Sequence, residues 1–464
     1  MARDGGRVSA PLLGKLLAEG ILRCPRCGGV PVLGEAAAAC GHCGARFRFA
    51  NGALDLYGRY REGEPAPPPD APLVEAIADA LHFPKDAAVR VAVAEAVADS
   101  RAVAEDPNHA AEIRMIAERL GVPVSPAPVA PPAASGAVAE ANADVRARLE
   151  VTHLEPALGM GMKLLRSFRL VNTGTTAISS SGPRPVNLSY HWFDPEGHAV
   201  VWEGLRSPLP VDLAPGHALT VIANLATPEG REGAWQLRLA LVVEGERWID
   251  VEGGAMPVRL ARAAPPPPPV EWTGLAFDYG TDHGVALDWY AKAYAARGLC
   301  GGRLLEVGGG IHPQGGVLAG QGSELLAVDV SFPMSQLGAL YFAHVAADWG
   351  ARMAFAACDA HRLPVRHGSF DGALVFSALH HFARPSLMLA ELARAVRPGG
   401  LVGVLCEPCV PDPGAAEYLR DLREGVNEQI WTVEEYWEIF RRAGLAPVRA
   451  RADGGSLKVL LERA

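Results

Sequence analysis

The apolar positions of the 464-residue chain change period along its length. Between Leu73 and Leu120 they recur at helical spacing: Val74, Ile77, Ala78 and Leu81, then Val89, Val93 and Val97, then Ile113, Ile116, Ala117 and Leu120. Gly121 and Pro123 stop the last of these helices. From about Val145 to Leu260 the pattern shortens to strand-like runs, among them VRARLEVTHL, LLRSFRLVN, VNLSYHWF, LTVIAN, WQLRLALVV and RWIDVE. Turn signals at Asn172-Thr173-Gly174, Asp194-Pro195-Glu196-Gly197 and Pro215-Gly216 separate several of them. About seven strands at this spacing predict a β-sandwich. Beyond Gly274 the runs GRLLEVG, ELLAVDV, FDGALVF and GLVGVLC are apolar without interruption, as parallel strands covered on both faces require. Met388, Leu392 and Val396 place an amphipathic helix between two of them, and Pro398-Gly399-Gly400 ends it. APVRARA and LKVLLER, joined through Asp453-Gly454-Gly455, read as a closing hairpin. This last region is a doubly wound, Rossmann-like α/β domain.

Low-complexity stretches punctuate these patterns: EGEPAPPPDAP, VPVSPAPVAPPAASGAVAEANA and AAPPPPPVE bury too little to order themselves and serve as linkers. The expected division is 1–60, a cysteine-bearing module; 61–144, linker and helical segment; 145–262, the sandwich; and 263–464, the α/β domain. The formal net charge of -9 excludes a broad nucleic-acid surface, which needs clustered Lys and Arg. No run reaches the roughly 20 apolar residues that span a bilayer. The opening MARDGGRVSAPLLGKLLAEGILRC has the look of a signal peptide, but Lys15 and Glu19 interrupt it and a cysteine pair follows. The expectation is a cytoplasmic protein whose eight cysteines are reduced or metal-bound.

Four of those cysteines carry a strong signal. CPRC and CGHC stand twelve residues apart, so Cys24, Cys27, Cys40 and Cys43 form two knuckles that can close a tetrahedral zinc site. Four thiolates leave no open position, which makes the zinc structural, with His42 a bystander. Cys406 and Cys409 share the spacing, but no second pair adjoins them and no metal is expected there.

The glycine-rich LLEVGGGIHPQGG, Leu304 to Gly316, follows the first strand of the α/β region. It lacks the Lys and Ser/Thr of a triphosphate loop. A dinucleotide loop has glycine at its first, third and sixth positions; Gly308 and Gly310 fit the first two, but Pro313 occupies the sixth. S-adenosylmethionine has no pyrophosphate and instead needs close backbone approach with acidic groups nearby. Glu306 precedes the glycines, Asp329 closes the next strand, and Asp359 stands where a third should end.

With these motifs followed in order by LHH and RPGG, the last ~190 residues resemble the class I S-adenosylmethionine-dependent methyltransferases. The resemblance implies Glu306, Gly308, Gly310, Asp329 and Asp359 as cofactor contacts, with His312 replacing a frequent third glycine. Methyl transfer to a hydroxyl needs an aligned acceptor and a route for its proton. His381, the first choice, with His380 and Glu407, in the loops after the fourth and fifth strands, are the candidates. Asn427 and Glu428 could line the acceptor pocket or cap a helix.

The cysteine segment is similar to zinc ribbons attached to, or partnering, methyltransferases. The sandwich, over about 110 residues, resembles the carbohydrate-binding C-terminal domain of O-antigen ABC-transporter ATPases. Tyr190, His191, Trp192, Trp202, Trp235 and Trp248 could meet a sugar face, although alternation turns about half of them inward. The combined expectation is O-methylation of a glycan or lipid-linked glycoconjugate. The alternatives are a glycan-binding protein with a degenerate methyltransferase domain, or a methyltransferase acting on protein or tRNA.

Overall fold

The computed structural model describes residues 10–57, 71–101, 142–152, 157–181, 184–209, 212–262, 271–272, 279–382, 384–410, 429, 431–453 and 455–463. The third predicted helix, with Ile113, Ile116 and Leu120, lies outside the described residues, as do Asn427, Glu428 and most of the proline-rich linkers. No helix among the described residues is long and apolar enough to cross a membrane.

The amino-terminal region begins with α1 (Pro11–Ala18), whose Leu12, Leu13, Leu16 and Leu17 are buried. Four short antiparallel strands follow: β1 (Pro31–Leu33), β2 (Ala37–Cys40), β3 (Arg46–Ala50) and β4 (Ala53–Asp55). Then come α2 (Ala71–Ala80) and α3 (Ala87–Arg101). Asp86 caps α3 by accepting the Ala88 N–H at 2.8 Å, and Arg90 ties back to Glu75 and Asp79 of α2 at 2.9 and 3.1 Å.

The sandwich packs two sheets over one core that includes Phe168, Tyr190, Trp192, Leu239 and Trp235. One layer holds β5 (Ala147–Thr152), β7 (Lys163–Asn172) and β11 (Ala218–Ala226), and β5 also joins the other layer by a parallel pairing of Arg148 with Glu252. The other is built on β8 (Val186–Phe193), β12 (Gly233–Val243) and β13 (Arg247–Ala261). The short β6 (Ala157–Gly159), β9 (Ala199–Val201) and β10 (Ser207–Pro208) lie at its margins. Two of its polar-tipped rings are satisfied by one residue: Trp192 Nε1 donates to the Ala226 carbonyl, and the Ala226 N–H donates to the Tyr190 hydroxyl.

In the carboxy-terminal region the strands are β14 (Glu271–Trp272), β15 (Arg303–Val307), β16 (Glu324–Asp329), β17 (Met353–Ala357), β18 (Phe370–Phe376), β19 (Val396–Pro408), β20 (Leu445–Asp453) and β21 (Ser456–Arg463). Their order is β17-β16-β15-β18-β19-β21-β20, parallel except for β21, which runs antiparallel to both of its neighbours. Beyond β17 the ribbon continues the same sheet: β4 pairs in parallel with β17, and the Leu56 N–H donates to the Ala357 carbonyl at 2.8 Å. With β14 at the opposite edge, the sheet reaches twelve strands.

Helices cover both faces, as the uninterrupted apolar strands demand. One face carries α4 (Tyr279–Ala296), α5 (Gly316–Gly320) and α6 (Phe332–His344); the other carries α7 (Pro385–Ala395) and α8 (Val433–Arg442). Between β17 and β18 the chain makes only the 3-10 turn Ala360–Arg362, and α1 fills that part of the second face. The first segment of the chain therefore completes the layer structure of the last. Val396, which the helical spacing assigns to α7, instead opens β19, where it pairs with Phe370.

Among the described residues, the helical pair and the sandwich each meet this domain. The α2–α3 pair buries Val74, Ile77, Leu81, Val89 and Val93 against Leu337 and Leu340 of α6 and Ile311 of the glycine loop. This explains why α6 is apolar on nearly every side: it is covered by the sheet and by a second helical layer. On the sandwich, Arg166 of β7 donates to Glu435 of α8 at 2.6 Å, both side chains being almost fully buried.

Candidate active site

The glycine loop leaves the end of β15 and turns at Gly308, whose φ of +76° suits glycine. A Cβ there would stand 2.7 Å from the Ala378 Cβ, so the loop after β15 lies directly against the loop after β18. Glu306 is buried beneath this turn. One of its oxygens accepts the Gln314 N–H at 2.8 Å and the other the Gly315 N–H at 2.7 Å. Burial pushes its carboxyl up to about 7, against the lowering effect of the two N–H donors. Glu306 thus holds the far side of the loop to the sheet. His312 sets its ring edge-on to Tyr341 of α6, centroids 4.4 Å apart.

Register aligns the ends of the neighbouring strands, Asp329 on β16 lying opposite Ala357 of β17. Asp329 accepts the Gly310 N–H and the Ser331 N–H, each at 3.0 Å, and is half-buried. Asp359 caps the turn after β17 and accepts from the His361 N–H at 2.9 Å. Hydrogen bonding to His361 is the main reason its carboxyl is held below the usual range. Two carboxylates and a run of glycine backbone therefore meet at the carboxyl ends of adjacent parallel strands, where ligands bind in such sheets.

Across the loop contact, Glu407 at the end of β19 is completely buried. Its Oε1 accepts the N–H groups of Ala378 and Leu379, both at 2.9 Å. Its Oε2 accepts the His380 N–H at 3.2 Å and meets His380 Nδ1 at 2.7 Å. Burial raises its carboxyl, but His380 and these N–H donors together outweigh burial and leave it below the ordinary carboxylate range. Glu407 is therefore placed to position the loop and the His380 ring. The backbone around it is strained: Ser377 and Cys406, one on each flanking chain, have φ of +46° and +58°. His381 is less buried, its ring centroid 4.1 Å from that of His380. The pattern reading missed Gln429, whose N–H donates to the His380 carbonyl at 3.1 Å and whose Nε2 donates to Phe382. No periodic signal marks it: Gln429 precedes the Thr432 cap of α8 and belongs to no helix or strand.

Residues 305–404 match the protein family described as a methyltransferase domain. The carboxy-terminal domain is a methyltransferase domain. Its curated relatives include 27-O-demethylrifamycin SV methyltransferase of Amycolatopsis mediterranei (strain S699), 29% identical over 154 residues, 32% of this chain and 56% of the relative. Demethylmenaquinone methyltransferase of Parafrankia sp. (strain EAN1pec) is 33% identical over 137 residues, 27% of this chain and 54% of the relative. The chain spans about half the length of these relatives. Among solved structures, Burkholderia thailandensis 1,6-didemethyltoxoflavin-N1-methyltransferase with bound 1,6-didemethyltoxoflavin and S-adenosylhomocysteine is 24% identical. The match covers 40% of this chain and 81% of that one, with a TM-score of 0.32.

At the ribbon end of the methyltransferase sheet, the sulfurs of Cys24, Cys27, Cys40 and Cys43 lie within 4.8 Å of one another. Cys24 and Cys43 are 3.7 Å apart and Cys27 and Cys40 3.5 Å, close to the ~3.8 Å edge of a tetrahedron with 2.3 Å metal–sulfur bonds. The two knuckles match: Gly28 and Gly44 donate to the carbonyls of Cys24 and Cys40 at 2.8 and 2.9 Å. N–H groups of Cys43 and His42 aimed at Cys40 hold its thiol below the ordinary value, whereas the thiols of Cys24 and Cys27 lie above theirs. The donor set, spacing and backbone all fit a four-thiolate metal ion.

The sandwich aromatics divide as alternation requires. Tyr190, Trp192 and Trp235 are in the core, whereas Trp202 is exposed and Trp248 half-buried. His191 is on the outward row of β8 but is covered by Trp202.

Proposed function

We propose that this protein is an S-adenosylmethionine-dependent methyltransferase that methylates a hydroxyl of a glycan or glycoconjugate. The observation that carries the reading is the contact between two loops: the glycine turn at Gly308 touches Ala378, one residue from the Leu379–His381 turn held by Glu407. A group bound on the glycine backbone is thereby brought beside a histidine pair. When bound, S-adenosylmethionine supplies a methyl carbon on a sulfonium, open to in-line attack. Gly308 and Gly310 allow close backbone approach, Asp329 is suited to ribose hydroxyls, Asp359 to the adenine amino group, and Glu306 keeps the loop in shape.

His380 takes the acceptor proton in this proposal. Its Nδ1 is engaged by Glu407, so Nε2 is the atom that exchanges a proton, and Glu407 stabilises the charge that results. His381 remains the alternative base, more exposed and lying against the same ring. The ribbon holds a structural zinc ion through Cys24, Cys27, Cys40 and Cys43.

The glycan acceptor is supported by the sandwich, which is fixed to the methyltransferase domain through the buried Arg166–Glu435 pair. Glu435 also closes a capping box with Thr432, three residues beyond Gln429, so the sandwich is tied to the chain that braces His380. A second reading, a small hydroxylated acceptor, is favoured by relatives named for rifamycin and menaquinone precursors. The test is transfer of a labelled methyl group from S-adenosylmethionine to two panels, free and lipid-linked oligosaccharides, and small phenols and quinols. Label in the first panel, abolished by His380→Ala, is expected. Label confined to the second overturns the glycan acceptor, and label unaffected by His380→Ala or His381→Ala overturns the histidine base.

A further inference from the structure

We infer that Arg166 of the sandwich is a positioning residue for the His380–Glu407 pair, so that docking of the sandwich fixes the proton-accepting geometry of the methyltransferase domain. The inference rests on the reading of His380 as the base and gives the sandwich a part in the reaction that needs no ligand on the sandwich itself. Arg166 continues the inward row of β7 beyond Phe168 and Leu170, and at 2% exposed its guanidinium is out of water's reach. Its charge must therefore be met by protein, and the carboxylate that meets it comes from the other domain.

Glu435 divides its two oxygens between the domains. Oε1 accepts from Arg166 at 2.6 Å, and Oε2 accepts the Thr432 N–H at 2.9 Å, closing the capping box that starts α8. The guanidinium carbon also stands 5.6 Å over the Trp431 ring, just ahead of the cap. The first turn of α8 and the chain entering it are thus both held to β7.

From this turn two branches reach the pair. On one, Gln429 donates its N–H to the His380 carbonyl at 3.1 Å and its Nε2 to the Phe382 carbonyl at 3.0 Å, clamping the chain on either side of His381. On the other, Trp431 stands edge-on to Tyr436 with centroids 5.4 Å apart, and the Tyr436 hydroxyl donates at 3.0 Å to the carbonyl of Pro408, the neighbour of Glu407. His380 and Glu407 lie 27 residues apart on separate chains, and each chain receives one branch. Gln429, Trp431 and Tyr436 are completely buried, so displacing the turn displaces what they hold.

The energetics favour orientation over stability as the use of this contact. A buried ion pair contributes little beyond what a well-packed apolar contact supplies, and its best-attested use is to fix one register. The pair it aligns depends on register: Glu407 Oε2 meets His380 Nδ1 at 2.7 Å, and left-handed backbone at Ser377 and Cys406 on the two chains persists only while the packing around it is maintained.

The experiment compares the full-length wild type with Arg166→Met/Glu435→Gln, which removes both charges together, leaves the net charge unchanged and keeps a residue able to close the capping box. Long-range 1H–15N imidazole spectra, with the His380 signals assigned by their loss in His380→Ala, should show the proton on Nδ1 alone in wild type and a mixture of tautomers in the double variant. Amide exchange of Ala378, Leu379 and His380 should quicken at least tenfold in the double variant while that of β15 stays at the wild-type rate. Tyr436→Phe, which leaves the ion pair in place and cuts one branch, should quicken the same amides by a smaller factor. A single Nδ1 tautomer with wild-type exchange in the double variant would overturn the positioning role and leave His380 standing as the base. Equal quickening in β15 would also overturn it, as loss of stability alone. Methyl transfer unaffected by His380→Ala would instead overturn the base and leave the link from Arg166 to the pair standing on the spectra.

Discussion

Glu407→Gln keeps the shape of the buried side chain and changes only which of its ends can accept. The carboxylate receives four bonds, two on each oxygen. In the amide, the oxygen can retain the Ala378 and Leu379 N–H groups, but the NH2 end then faces the His380 N–H and Nδ1, donor against donor. The ring repairs one clash by moving its proton from Nδ1 to Nε2, which leaves one backbone donor unmet at about 1–3 kcal/mol. At ~2–4 °C per kcal/mol for a domain of this size, the thermal midpoint should fall by several degrees. Truncation to alanine removes all four acceptor contacts, on the order of 4–12 kcal/mol, comparable with a whole domain's stability. Long-range 1H–15N imidazole spectra of the full chain read the tautomer directly. They should show His380 carrying its proton on Nδ1 in the wild type and on Nε2 in Glu407→Gln. An unchanged tautomer with an unchanged midpoint would refute the positioning role of Glu407.

Three further outcomes follow from the same geometry. Chelation should release one zinc per chain, make four additional thiols reactive and lower the thermal midpoint of the methyltransferase domain, because β4 is a strand of its sheet; thiol titration with metal analysis checks this, and thiols already reactive before chelation would contradict it. Arg166→Met should cost about 3–5 kcal/mol in urea unfolding by leaving Glu435 buried without its cation, and adding Glu435→Gln should recover most of the loss. Glu306 has a folded-state carboxyl raised to about 7, so its contribution to stability is full below its unfolded value and is lost as pH rises through about 7. Denaturant midpoints from pH 5 to 8 should therefore fall less steeply for Glu306→Gln than for wild type.

Patterns that depend on local periodicity are legible in the sequence. The unbroken runs at Leu304, Leu325, Ala373 and Val402 gave parallel strands, and the break at Asp453-Gly454-Gly455 gave the antiparallel end of the sheet. The knuckle cysteines were legible because two metal half-sites have a fixed spacing. What periodicity does not carry is which element covers which. Nothing in PLLGKLLA says that α1 fills a helix position against β17, or that β4 extends a sheet whose next strand lies about 300 residues later. The same limit applies to Glu407: its place after a strand marked it as a candidate, but the N–H groups it receives come from a loop 27 to 29 residues earlier. Trp192 and Trp202 likewise differ in role because one side of a strand is core and the chain after β9 folds over the other.

Binding of S-adenosylmethionine at the ends of β15 and β16 is tested by calorimetric titration of the full-length protein and of Asp329→Ala. Wild type should bind S-adenosylmethionine and S-adenosylhomocysteine in the micromolar range and not NAD, and Asp329→Ala should lose at least tenfold, ~1.4 kcal/mol or more. Failure of the wild type to bind either sulfur compound, or equal affinity in Asp329→Ala, would contradict it.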